Sequence, residues 1–156
     1  MKKVLLLLVL LVALTQCKKF PMDRLYSLYV KNHSDYSIIY VLRMNQETST
    51  VYDTILGNNP PSIDHVTTIL SGQNKALLQG SVKISSYFDN VPSDTISIYL
   101  FHIDTLKNNT WADVRDGYKI LKRYDLSLED LEYLDYKLSY PPDAKMLGVK
   151  MYPPYP

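Results

Sequence analysis

The chain has 156 residues, 46% hydrophobic and 21% charged, with 17 Lys and Arg against 16 Asp and Glu, three His and one Cys. That is the balance of one ordinary globular domain, and it excludes a disordered, collagen-like or multi-pass membrane chain. A net charge of +1 offers no field for gathering nucleic acid, and one cysteine permits neither an intrachain disulfide nor a cysteine-rich zinc centre.

From the amino end, Lys2 and Lys3 precede an unbroken apolar run from Val4 to Leu14, then Thr15, Gln16 and Cys17. The run is too short for a membrane span, which needs about 20 apolar residues, and it suits a secretory signal. Leu14-Thr15-Gln16-Cys17 resembles a bacterial lipobox, in which the cysteine becomes the acylated first residue of the mature chain; Gln16 stands where Gly, Ala or Ser is usual. These features predict a signal peptide over 1–16, lipidation by palmitate at Cys17, a lipid-anchored tether over 17–24 and one β-rich domain over 25–156. Several acyl chains, at about 0.8 kcal/mol per buried CH₂, make such an anchor permanent. Losing Lys2 and Lys3 with the leader leaves 15 basic against 16 acidic groups. Lys18-Lys19-Phe20-Pro21 lacks the acidic residues of a surface-export signal, so the expected location is the periplasmic side of the outer membrane.

Leu25 to Val30 and Tyr36 to Arg43 are rich in Tyr, Ile, Val and Leu around the polar turn Asn32-His33-Ser34-Asp35, which predicts two turn-linked strands. Met44 to Asp64 loses periodicity and contains Gly57-Asn58-Asn59-Pro60-Pro61, predicting a long loop, with a short strand at Thr50 to Ile55; such a loop is the expected functional surface. Val66 to Leu70 and Lys75 to Leu78 flank Ser71-Gly72-Gln73-Asn74 as a second hairpin, and Val82 to Tyr87 reads as a further strand.

Asp94 to His102 carries the clearest strand pattern: Ile96, Ile98 and Leu100 alternate with Ser97, Tyr99 and Phe101, so Ser97 is expected on a wetter side. Thr110 is placed to cap a helix over Trp111 to Asp116 that Gly117 ends in a left-handed conformation, and Tyr118 to Tyr124 returns as a strand. Ser127 and Asp130 have capping-box spacing ahead of a short helix with Leu128, Leu131 and Leu134 on its apolar face. Tyr136 to Tyr140 and Met146 to Tyr152 are late strands on either side of Pro141-Pro142. Many short strands with two short helices in the C-terminal half predict a mainly β chain, an antiparallel β-sandwich, the alternative being α+β with one antiparallel sheet.

Asp94-Thr95-Ile96, His102 to Leu106, Trp111 to Arg115, the stretch Tyr118 to Leu131 and the ending Lys150-Met151-Tyr152-Pro153-Pro154-Tyr155, together with the Lys31 to Asp35 turn and the lipobox, resemble a family of small Bacteroidota lipoproteins. The resemblance brings no activity and no catalytic residues. It implies a phylum that glycosylates envelope proteins at Asp-Ser/Thr followed by a small or aliphatic residue, which makes Thr54, Thr95 and Thr105 candidates for O-glycosylation.

His33, His65 and His102 are scattered with no zinc-binding spacing, and no nucleophile elbow or phosphate loop is present in the sequence. Neither a cofactor nor a metal is expected. Asp64-His65 could be drawn into a triad with a serine, and His102 with Asp104 two residues on could share a strand face. The cluster Glu129, Asp130, Glu132 and Asp135 reads as a solvated helix face. Fourteen tyrosines suit strands, or a platform for protein or glycan; Trp111 reads as a plug over the core; and the tail from Tyr152 to Pro156 favours polyproline II geometry. The expected function is a non-enzymatic envelope binding or accessory module, with the membrane as partner through the anchor; the rival is a small envelope hydrolase built on His102, Asp104 and distant carboxylates.

Overall fold

The computed structural model describes residues 26–44, 55–89 and 94–156. The expected leader, the tether and all but the last residue of the strand expected at Thr50 to Ile55 lie outside the described residues, and Ile55 itself is a bend. Among the described residues the chain is mainly β, with eight strands in two sheets and three short helices in a sandwich-like α+β arrangement. The strands are β1 (Tyr26–Asn32), β2 (Ile38–Met44), β3 (Thr68–Ile69), β4 (Asn74–Gly80), β5 (Ile96–His102), β6 (Lys122–Leu126), β7 (Lys137–Tyr140) and β8 (Met151–Tyr152). The helices are α1 (Ile103–Asn108), α2 (Trp111–Asp116) and α3 (Leu128–Tyr133). One sheet has the order β4-β1-β7 and the other β3-β2-β5-β6-β8.

Neither expected hairpin forms. β1 pairs with β4, β2 pairs with β3 and β5, and the turn between β1 and β2 carries the chain from one sheet to the other. The cause is Asn32, which is fully buried. Its Nδ2 donates to the carbonyls of Tyr36, at 2.7 Å, and Ile69, at 3.2 Å, while Oδ1 accepts from the Ser34 backbone and hydroxyl. One amide thus binds the end of β1 to the first residues of the other sheet, and it leaves none of its polar groups unmet. The pairing of β1 with β7 is parallel, so the sandwich is not purely antiparallel. The chain reaches β7 through α3 rather than through a hairpin, and only a tight hairpin would force antiparallel pairing.

Between the sheets lies the main core. Leu28, Val30, Leu77 and Leu138 from the three-stranded sheet meet Ile38, Ile69, Ile96, Ile98, Leu100, Tyr124 and Leu126 from the other, with Leu131 and Leu134 closing one side after α3. Tyr124 is tolerated here because its hydroxyl donates to the Ser139 carbonyl at 2.8 Å.

Local signals held where capping chemistry decides the element. Thr110 caps α2, accepting from the Asp113 backbone, and Ser127 with Asp130 forms a complete capping box on α3. Helix α1 was not expected; its cap is His102, whose Nδ1 accepts from the Asp104 backbone at 3.0 Å, and histidine is not among the usual cap residues. Gly117 is right-handed and Tyr118 takes the left-handed position, with φ of 47°. A side chain at 117 would bring a Cβ within 2.8 Å of the Asp113 carbonyl, so glycine is there for close approach. The turn through Tyr118 delays β6 to Lys122. Val82 to Tyr87 contains a 3-10 turn over Ile84–Tyr87, because only Ile84 reaches the core while Val82 stays exposed. The last expected strand shrinks to Met151–Tyr152 after a 3-10 turn at Ala144–Met146.

Candidate functional site

The outer face of the five-stranded sheet, away from the main core, is built in three cross-strand rows. Ile39 lies beside Phe101; Val41 beside Tyr99, Arg123 and Tyr152; and Arg43 beside Ser97 and Asp125. The first row and part of the second are apolar, and Leu56 of the long loop, Val114 of α2, and Ile103 and Leu106 of α1 cover them as a second, smaller core. Ser97 is therefore 2% exposed, against the expectation of a wetter face. Alternation assigned it to the correct side, but that side is covered too.

The remaining row is a buried polar network. Ser97 Oγ donates to Asp125 Oδ1 at 2.8 Å, and Arg123 Nε reaches the same carboxylate at 3.0 Å to Oδ1 and 3.1 Å to Oδ2. Arg123 Nη1 donates to the Tyr118 hydroxyl, and its guanidinium lies 6.0 Å from the Tyr118 ring centre and 5.9 Å from that of Tyr152. Those two rings meet edge to face at 5.4 Å. Burial alone would pull the Arg123 guanidinium down, but the hydrogen bond and charge of Asp125, with Tyr118, hold it above its ordinary value. Burial raises the Tyr99 hydroxyl, Tyr118 adds to the effect, and Arg123 and Arg43 oppose it, so Tyr99 stays neutral.

Where the apolar and polar parts meet, the loop after Ile55 stands off the sheet and leaves a cleft of about 140 Å³. Val41, Tyr99 and Phe101 line it from the sheet, Pro60-Pro61 and Trp111 wall it, and Arg43 and Asn59 bring polar groups to it. A second hollow of about 290 Å³ shares Pro60, Pro61 and Trp111 and runs to Leu106, Val114 and Ile63. The loop is pinned at three places. Trp111 Nε1 donates to the Gly57 carbonyl at 2.9 Å, Arg43 Nη1 to the Ile55 carbonyl at 2.7 Å, and Arg115 Nη1 to Asn58 Oδ1 at 3.3 Å. Arg43 also lies over the Tyr99 ring at 5.7 Å. A Cβ at Gly57 would sit 2.4 Å from Arg43 Nη2, so a larger residue there would push the end of that side chain aside.

The residues singled out in the sequence are dispersed. His102 caps α1 and stacks on Tyr36 with ring centres 4.4 Å apart; Asp104 Oδ2 is 3.9 Å from its Nδ1, beyond hydrogen-bond reach. The Asp64 carboxylate turns back on its own loop, accepting from Ser62, Val66 and Thr67, while the exposed His65 contributes its carbonyl to Lys75. Those bonds, that of Ser62 first, hold the Asp64 carboxyl down at about 2. His33 is exposed in the crossing turn. Thr95 is half-buried ahead of β5, and Thr105 is half-buried on α1 with its carbonyl accepting from Asn109. Cys17 and Thr54 lie outside the described residues. Asp130 belongs to the α3 capping box, and Asp135 pairs with Lys137. The Pro-rich tail rests on its own chain: the buried Lys122 donates to the carbonyls of Pro153, at 2.9 Å, and Pro154, at 3.4 Å, and burial lowers its pKa. Among the described residues no group of three or more His, Cys, Asp or Glu comes together, and no helix is long and apolar enough to cross a membrane.

The sequence points to the loop as a functional surface but reads Trp111 only as a plug over the core, and it misses Arg43, Tyr99 and the network beneath them, whose signal is the cross-strand register of three strands. Compared with protein-family models, with curated proteins and with solved structures, the chain finds no match.

Proposed function

We propose that the chain is a lipid-anchored, non-enzymatic binding module of the bacterial cell envelope, held by acylated Cys17 on the periplasmic side of the outer membrane. The lipobox-like Leu14 to Cys17 and the resemblance to small Bacteroidota lipoproteins support the address. The observation that carries the binding role is the Trp111 cleft. Two hydrogen bonds hold its shape, from Arg43 Nη1 to the Ile55 carbonyl and from the Trp111 indole to the Gly57 carbonyl. A fixed, mostly apolar recess with a few oriented polar groups suits recognition by shape rather than proton transfer.

Two measurements test this. Cys17→Ala should abolish palmitate labelling and move the protein out of the membrane fraction; an unlabelled wild type, or a variant that stays in the membrane at unchanged size, overturns the anchor. Native mass spectrometry of the protein released from its own envelopes should show a bound molecule beyond the acyl groups, absent in Trp111→Ala. Identical bare masses for the two overturn the binding role.

A further inference from the structure

Among the described residues the cleft is lopsided in charge. Around Tyr99 stand two guanidinium groups, Arg43 over its ring and Arg123 across the strand pair, and one carboxylate, Asp125, which is spent on Arg123 and Ser97. Arg43 is half-buried, its partners among the described residues are a carbonyl and an aromatic ring, and no carboxylate of the described residues lies within 4 Å of it. A carbonyl satisfies a donor but not a charge, so a half-buried guanidinium beside an apolar cleft suits an anionic partner. The two hollows that share Trp111, Pro60 and Pro61 add apolar surface next to that charge, and together they reach the size of a small-molecule site.

Resting on the binding role above, we infer that the cleft takes a small amphipathic carboxylate: the carboxylate on Arg43, and the aliphatic body against Tyr99, Phe101 and Trp111. The neighbouring charges are compatible with this. Arg115 is paired with Asp116, and Lys119 with the Asn109 side chain.

The chain has a single tryptophan, and it walls the cleft, so its emission reports occupancy directly. The probe is hexanoate, which is water-soluble, added to the full acylated chain in nonionic detergent, with hexanamide as the uncharged isostere. Hexanoate should shift the Trp111 emission saturably and bind at least about tenfold more tightly than hexanamide, the value expected of one charge-assisted contact. Arg43→Met should erase that difference, with an unaltered circular dichroism spectrum showing that the variant is folded. Asn59→Asp, at an exposed position on the cleft, should weaken hexanoate several-fold without disturbing packing. Equal binding of the two probes, or hexanoate binding unaltered in both variants, overturns the inference. A cleft that carries a bound molecule from the envelope yet ignores hexanoate, or that prefers an acidic peptide, also overturns it while leaving the binding role standing.

Discussion

The two faces of the five-stranded sheet are buried by different means. On the inner face Ile96, Ile98 and Leu100 meet the aliphatic side chains of the other sheet, and among the described residues no charged pair intervenes. On the outer face the same strand supplies Ser97, Tyr99 and Phe101, and these are covered by a pinned loop, two six-residue helices and an ion pair whose side chains are 9% and 5% exposed. The inner face is a surface made to be closed permanently. The outer one is closed over its apolar part, made rigid by hydrogen bonds over its polar part, and left open at the seam between them.

The sharpest way to break this comparison is Asp125→Ala, which leaves Arg123 buried without its carboxylate. Removing one member of such a pair costs about 3–5 kcal/mol, whereas exchanging both, as in Arg123→Met with Asp125→Leu, should recover most of it. Denaturant midpoints decide; a single change costing less than about 1 kcal/mol would mean that the outer network is wet. Next, Ile98→Ala on the inner face should cost about 2–5 kcal/mol through lost burial and the cavity left behind. Ser97→Ala, one residue away on the outer face, should cost about 1–3 kcal/mol, because it deprives a buried carboxylate of a donor. A Ser97→Ala cost within about 0.5 kcal/mol, as for an exposed serine, would return that face to solvent.

The helix caps divide the faces more finely. Thr110→Ala and Ser127→Ala should each cost about 0.5–2 kcal/mol, with the reciprocal box at Ser127 the greater loss. Only Thr110→Ala should alter Trp111 emission, since α2 carries the cleft wall and α3 closes the inner core. The smallest effect is acidic. The Asp64 carboxyl is depressed from 3.8 to about 2 in the folded chain, so its contribution is complete above about pH 4 and is lost as pH falls through about 2. Asp64→Asn should therefore flatten the stability profile between those limits and lower stability near neutrality, where the carboxylate's contribution is fully present, with no change below about pH 2; an unaltered acid limb would detach Asp64 from its loop.

Local chemistry was the legible part of this molecule. The β5 alternation, the Thr110 cap and the Ser127 to Asp130 box each lie within a few residues of chain, and each appears where the pattern put it. Strand partnership was not legible. The turn at Asn32 has hairpin composition, but its side chain bonds to Ile69, far along the chain, and that contact sends β2 into the other sheet. Ser97 shows a related limit, since alternation says which side a residue faces and nothing about what covers that side. The cleft draws on Arg43, Gly57, Tyr99 and Trp111, so only its loop stood out in advance as a functional surface, Trp111 reading as a plug over the core.

The parallel pairing of Tyr29 with Lys137 and of Asn32 with Tyr140 constrains the order in which the protein can be assembled. Synthesis delivers β1 long before its neighbour β7, so the three-stranded sheet waits, with one flank unfilled, until Lys137 to Tyr140 have emerged. Contacts between residues so distant in sequence slow folding. A nascent chain halted anywhere before Lys137 would present β1 as an open edge, and protection of that strand from aggregation during synthesis becomes part of what the organism must supply.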